Sequence, residues 1–274
     1  MLSEAVACYQ RVLDQRPDWA EANNSLGLAF YHQRKLDDAA DCYRRALELN
    51  PELADAHCNL SFVMLVRGDF QLGWPEYEWR WKTGKLRTRD YDRPRWDGEP
   101  LAGKSILLHA EQGLGDTIQF IRYASLAKGQ GATVLVECHK SLLQLLASCP
   151  GIDRLIAHGD ALPDTDVHAP LLSLPGIFKT SVETIPANVP YLFADAALAD
   201  EWREKLGKIS GFKIGINWHG EKGRREYRDR DVPLSCFASL AQVSGATLVS
   251  LQRGGQAELA GSPASQGHTD QCHG

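Results

Sequence analysis

The chain of 274 residues contains no apolar run of about 18 residues, the length a membrane helix needs, so no span is expected. It has no excess of positive charge. The net charge is -5 and the pI about 6.0, which leaves no basic footprint for nucleic acid or an anionic membrane surface. It has no C-x-x-C pair. Its cysteines, Cys8, Cys42, Cys58, Cys138, Cys149, Cys236 and Cys272, are odd in number and scattered. That excludes a disulfide framework and implies reduced thiols, hence a cytoplasmic protein. Cys42 and Cys58 fall inside helical patterns and read as small core fillers. Met1 to Arg16 has scattered charges and no apolar core, so it does not read as a signal peptide. What remains is an ordinary globular composition, 43% hydrophobic and 24% charged, at a length for roughly two domains.

The strongest positive signal is a repeat. Pro17-Asp18-Trp19-Ala20 realigns with Pro51-Glu52-Leu53-Ala54, Leu26 with Leu60, Phe30 with Met64 and Tyr43 with Tyr77. The offset is 34 residues, the period of the tetratricopeptide helix pair. Residues 1–85 are therefore expected to form such an array. It has a partial first repeat, a full one at 20–53 and a degenerate one at 54–87. Gly27 and Ala39 are small where two helices cross, Phe30 and Tyr43 fill the groove, and Pro51 stops the second helix. In the degenerate repeat Ser61, Gly73 and Arg80 replace the usual small residues, and its second helix carries Trp74, Trp79 and Trp81. That helix reads either as a cap or as a face that docks on the next domain. The first repeat lacks its first helix, so the array is expected to begin part-way through. Concave faces of such arrays hold extended peptides or helices, and Asn23, Asn24 and His57 are the candidate peptide-binding residues. Each is equally readable as a solvated helix position.

Residues 86–103, rich in Arg, Asp, Pro and Gly, read as a linker. They hold a decoy: Gly98 to Ser105 matches G-x-x-x-x-G-K-[ST]. A phosphate loop needs a strand before it and a helix after it. Here a loop precedes and the buried strand Ser105–Ala110 follows, so a nucleoside triphosphatase is rejected.

From 104 to 252 strands alternate with helices, which predicts a parallel, Rossmann-like sheet covered on both faces. Strands are expected at 105–110, 132–137, 154–157, 166–172, 212–218 and 247–251, and helices at 117–128, 141–147 and 236–242. Ligands of such sheets sit beyond the carboxyl ends of the strands, which nominates the loops 109–116, 168–176 and 218–231. In the first loop Gln112, Gly113, Leu114 and Gly115 are candidate substrate-binding residues, since glycines let backbone amides approach a ligand at a helix start. Asp116 has two readings, a helix cap or a general base on a hydroxyl. In the third loop Trp218, His219, Gly220 and Arg228 are candidates. There Arg224, Arg225, Arg228 and Arg230 form either an anion site or a solvated, self-paired loop.

Trp96-Asp97-Gly98, the block His109-Ala110-Glu111-Gln112-Gly113-Leu114-Gly115-Asp116 through Tyr123, Pro170 to Pro175, Pro190-Tyr191-Leu192, Gly215 to Gly220 and Ser250-Leu251-Gln252 together carry a resemblance. The chain resembles bacterial tetratricopeptide proteins fused to a heptosyltransferase-like glycosyltransferase, a group also likened to O-linked N-acetylglucosamine transferases. The resemblance implies an inverting enzyme of GT-B fold, whose first half binds the acceptor and whose second half binds a nucleotide sugar. That sugar is a co-substrate, and no cofactor or metal is implied. Partners implied are a protein or peptide on the repeats and an acceptor sugar or protein. It also places the proposed base at Gly115-Asp116. The family continues well past Gln252, whereas Arg253 to Gly274 is rich in Gly, Ser, Gln and His and is expected to be a disordered or aberrant tail. On that footing the chain is expected to be truncated and inactive alone, since positioning donor against acceptor is much of catalysis. The alternative is a non-catalytic interaction module.

Overall fold

The computed structural model describes residues 2–86, 91–220, 231–252 and the backbone of 270–271. They fall into two compact units, one up to Ala194 and one from Asp195 onward.

The first unit opens with five helices in antiparallel pairs. These are α1 (Leu2–Gln15), α2 (Ala20–His32), α3 (Leu36–Leu49), α4 (Ala54–Arg67) and α5 (Phe70–Tyr77), and a 3-10 turn over Glu78–Lys82 follows α5. The small residues do what the repeat requires. Ala39, Tyr43, Ala46 and Val63 are almost wholly buried. A Cβ added at Gly27 would lie 2.6 Å from Cε1 of Tyr43, so only glycine lets α2 approach α3 this closely. At α4 the chain turns through Gly68, whose φ of +86° is a left-handed helix end. Pro75 lies inside α5, which ends two residues later and tightens into the 3-10 turn.

The aromatic second helix of the last repeat docks on the sheet. Tyr77 shares a core with Ile106, Leu108 and Ile121, and Trp74 meets Phe120 edge-on at 6.1 Å. Trp79 faces the other way and stacks on His57 at 3.7 Å and 8°.

The sheet holds β1 (Ser105–His109), β2 (Thr133–Cys138), β3 (Arg154–Ala157) and β4 (Val167–Pro170), all parallel, in the order β3-β2-β1-β4. Between β1 and β2 lie α6 (Leu114–Phe120), a 3-10 turn and α7 (Ala124–Gly129). The helix expected over 117–128 is thus broken at 121–123, where Ile121 and Tyr123 turn into the core. Between β2 and β3 lies α8 (Leu143–Leu146), and after β4 comes α9 (Leu174–Ile177). Ile106, Leu108, Val134, Val136, Leu146 and Leu171 form the centre of the core. Each such side chain is worth about 1.5–3 kcal/mol when fully buried.

The linker is not a free crossing. His168 donates its backbone N–H to Pro94 O at 3.1 Å, and Trp96 donates to His168 O at 2.8 Å. Residues 94–96 therefore pair with the outer edge of β4, and Trp96 is buried in the core.

The sequence pattern suggested a single sheet, whereas the later strands form a separate sheet within the second unit. Its strands β5 (Phe212–Ile216), β6 (Ala246–Ser250) and β7 (Asp270–Gln271) are parallel in that order. It also holds α10 (Ala196–Gly207), which the sequence pattern did not announce, and α11 (Ala238–Ala241). The tail was expected to contain no strand, but Asp270–Gln271 pairs with Val249 and Ser250. Its other residues lie outside those described. No helix among the described residues is long and apolar enough to cross a membrane.

Candidate functional site

In the order β3-β2-β1-β4 the strand sequence reverses beside β1, and the carboxyl ends there are where open α/β sheets receive ligands. A cavity of about 700 Å3 opens at that point. His109, Ala110 and Glu111 enter it from the end of β1, Glu137 from β2, His158 from the end of β3, and His168 and Pro170 from β4. The linker contributes Tyr91 and Arg95, and the turn after the last repeat contributes Trp81.

Tyr91 lies across two imidazoles, with centroids 4.4 Å from His109 and 4.5 Å from His168. Its hydroxyl donates to Oε2 of the buried Glu137 at 3.2 Å. Nε2 of His109 lies 3.1 Å from Nδ1 of His168, so one of the two nitrogens carries the shared proton. Burial, then Arg95 and Arg93, hold His168 below the usual histidine range, which favours its neutral form.

Glu111 is the most perturbed acid of the site. Its side chain is 4% exposed, as is that of Arg80. Oε1 accepts from Nη2 of Arg80 at 3.0 Å and from the backbone N–H of Leu172 at 3.3 Å. Oε2 is buried with no hydrogen-bond partner among the described residues. Burial pushes the carboxyl up to about 7, against the pull of Arg80 and the Leu172 amide. Arg80 is itself held on several sides. It donates to Glu78 at 2.6 Å and to Ser173 Oγ at 2.7 Å, and its guanidinium lies 4.5 Å from the Tyr77 ring. Arg95 pairs with the same Glu78 and donates to the same Ser173 at 2.8 Å. Burial works to raise Glu78, but Arg80 and Arg95 together hold it below the usual carboxylate range.

The residues nominated from sequence divide by location. Gly113 donates its N–H to Oδ2 of Asp116 at 3.0 Å, so Asp116 closes the first turn of α6. It is not among the residues lining the cavity. Gln112 donates to Tyr77 Oη at 2.6 Å and its carbonyl faces Nε2 of His139 at 3.1 Å, which ties the loop to the last repeat. Leu114 and Gly115 are exposed beside it. In the second unit Trp218 is buried with Ile216 and Leu248. The backbone N–H groups of Trp218 and His219 both donate to Oε1 of Gln252, at 3.2 and 3.1 Å. Gly220 donates to Asp231 at 3.2 Å. Arg228, with Arg224, Arg225 and Arg230, lies outside the described residues.

On the array, Asn23 is buried and its amide donates to Trp19 O at 3.0 Å. Asn24 is half-buried and accepts from Asn59 at 2.9 Å. His57 bonds Glu76 through Nδ1 and Pro51 O through Nε2 at 2.8 Å, beneath Trp79. Two of the three are thus engaged in holding the array together, and Asn24 spans neighbouring repeats.

Glu111, His109, His168, Tyr91 and Arg80 meet at the site; the loops nominated from sequence, 109–116 and 168–176, contain His109, Glu111 and His168 without singling them out, and Tyr91 and Arg80 lie outside those loops. One signal was available: Glu111 follows a buried strand and directly precedes the glycine-bearing loop. No group of three or more metal-ligating side chains is found among the described residues.

A helical repeat array followed by a parallel, Rossmann-like sheet with a cavity at its strand ends is the class that the fold and site define. Residues 2–54 match the family model of the tetratricopeptide repeat. Protein FlbA of Caulobacter vibrioides is 24% identical over 226 residues, covering 70% of this chain and 36% of that protein. A mutant O-GlcNAc transferase of Thermobaculum terrenum is 19% identical with a TM-score of 0.28, covering 60% of this chain and 39% of that one. The chain therefore spans less than two fifths of the length of either protein.

Proposed function

We propose that this protein is a tetratricopeptide-guided glycosyltransferase of the GT-B, heptosyltransferase-like type, acting in the cytoplasm. The helical array recruits a protein or peptide. The Rossmann-like region 104–252 handles the acceptor, a protein or a glycan, and a nucleotide sugar is the co-substrate. The observation that carries this reading is the cavity at the carboxyl ends of β1, β2 and β4, with a buried, half-paired carboxyl at its wall. A group titrating near neutrality is suited to take a proton from an acceptor hydroxyl. Glu111 has that property, and we assign Asp116 to the start of α6.

The test is transfer of label from a panel of nucleotide sugars to proteins captured by the array. Label transfer that is lost in Glu111→Gln and kept in Asp116→Asn supports the reading. Absence of both transfer and nucleotide-sugar hydrolysis overturns it. A second reading, an interaction module without chemistry, is favoured by the family match lying wholly in the helices, at 2–54. It is supported if partner capture persists with no turnover.

A further inference from the structure

We propose that the groove between the helical array and α6 docks a short segment of a partner protein, an aromatic or aliphatic anchor side chain next to a carboxylate. The inference rests on the reading that the array recruits a protein, and it names the chemistry of what is recruited.

The groove, of about 300 Å3, lies within the first unit. Tyr31 of α2, Phe62 and Val66 of α4 and Trp74 of α5 line it from the array, and Phe120 of α6 and Ile185 complete the lining. Phe62 and Val66 lie one turn apart on α4 and are 42% and 61% exposed, whereas Val63 between them is wholly buried. Leu28 is exposed one turn before Tyr31, so the apolar surface continues along α2. Scattered exposed apolar side chains need no explanation, but a contiguous set around a concavity marks a place of interaction. Helices α2 and α4 open successive repeats, and arrays of this kind offer such extended surfaces to bound segments. The volume is at the small end of ligand sites, which suits anchor side chains rather than a folded element. The floor is already packed: Trp74 meets Phe70 edge-on at 5.8 Å and Phe120 at 6.1 Å. The groove therefore does not have to form on binding. It shares no lining residue with the cavity at Glu111.

Charge selects the neighbour of the anchor. Among the described residues lining the groove, Arg122 alone is charged. Its Nε donates to Gln119 O at 2.8 Å, Nη1 to Pro186 O at 3.0 Å and Nη2 to Tyr191 Oη at 2.9 Å. All three acceptors are neutral, and no carboxylate of the described residues pairs with this guanidinium. A guanidinium has five N–H groups, so two remain. The three bonds hold the fork in place, and a held guanidinium is complementary to a carboxylate. A basic segment would meet Arg122 with no anion in the lining to offset it.

The experiment screens the whole chain against a bead library of random octapeptides and measures the enriched peptides by fluorescence polarisation. Enriched peptides are expected to carry Phe, Tyr, Trp or Leu close to Asp or Glu, and to lack Lys and Arg. Replacing the anchor by alanine should weaken the best peptide about tenfold, and replacing its acid by the amide about threefold at low salt. Val66→Asp, at an exposed position, should weaken it at least about tenfold with circular dichroism unchanged. Arg122→Gln should abolish the difference between the acid and amide peptides. Should Arg122→Gln fail to fold, the amide peptide on the unaltered protein carries the charge test. The proposal is overturned if enriched peptides are basic or have no apolar anchor, or if acid and amide peptides bind the unaltered protein equally. It is also overturned if sedimentation shows a dimer that Val66→Asp dissociates, which makes a second copy the occupant. Enriched peptides that ignore Val66→Asp remove this inference and leave the recruiting reading standing. Absence of any enriched peptide removes both.

Discussion

Glu111→Gln is expected to flatten the pH dependence of stability. In the unfolded chain Glu111 titrates at its ordinary value of 4.5, and in the folded protein at about 7. The folded state therefore holds the proton more tightly. The stability this contributes is fully present below pH 4.5 and is lost as pH rises through 7. Between pH 5 and pH 8 the loss amounts to about 2.5 kcal/mol. Glutamine mimics the protonated form, so it does not titrate. The two proteins should be equally stable at pH 5, and the variant should be more stable at pH 8 by about that amount. His168 works in the opposite direction, because its folded value is lowered and its contribution fades as pH falls. It is common to both proteins and cancels in the difference. Urea unfolding followed by tryptophan fluorescence reads the effect, since Trp19, Trp74, Trp79, Trp81 and Trp96 all lie in the first unit. A wild-type-minus-variant difference that stays flat across this range refutes the reasoning. So does a variant that is weaker at pH 8, which would mean that Arg80 outweighs burial and keeps the carboxylate ionised.

Gly27→Ala places a methyl group 2.6 Å from the Tyr43 ring, and overpacking of this kind costs about 1–3 kcal/mol, read as a lower Tm. Arg80→Met leaves Glu111 and Ser173 without their shared donor, and breaking a buried pair costs about 3–5 kcal/mol. Hydrogen exchange should then rise in the 3-10 turn over Glu78–Lys82 ahead of β1, because Arg80 ties that turn to Glu111 and Ser173. Asp116→Ala removes the acceptor for the Gly113 N–H, worth about 1 kcal/mol in thermal unfolding, and should leave the cavity residues unmoved.

The helical repeats were legible because their code is local. Gly27, Ala39 and Tyr43 sit at fixed spacing, and each answers to a neighbour within one helix pair. The buried strands were legible for the same reason: Arg154–Ala157 has the predicted bounds, and the others differ at their ends. The pairing of Pro94 to Trp96 with the edge of β4 was not, because its partners lie more than 70 residues apart in sequence. Helix α10 was missed because none of its residues is buried, so no apolar stripe marks it. At the site, the glycine loop was read from its spacing, but the acid beside it was not. What sets Glu111 apart is its burial, and the groups that pack and bond it, Arg80 and the Leu172 amide, lie 31 positions earlier and 61 positions later. Pairings of that reach leave no periodic trace in the chain.

The segment from Pro94 to Trp96 runs alongside His168 like a stitched hem. A single residue added between Tyr91 and Trp96 would slide the ring off both imidazoles or pull the indole from beneath the sheet. Related chains that keep the cavity should therefore hold the spacing from this tyrosine to the indole.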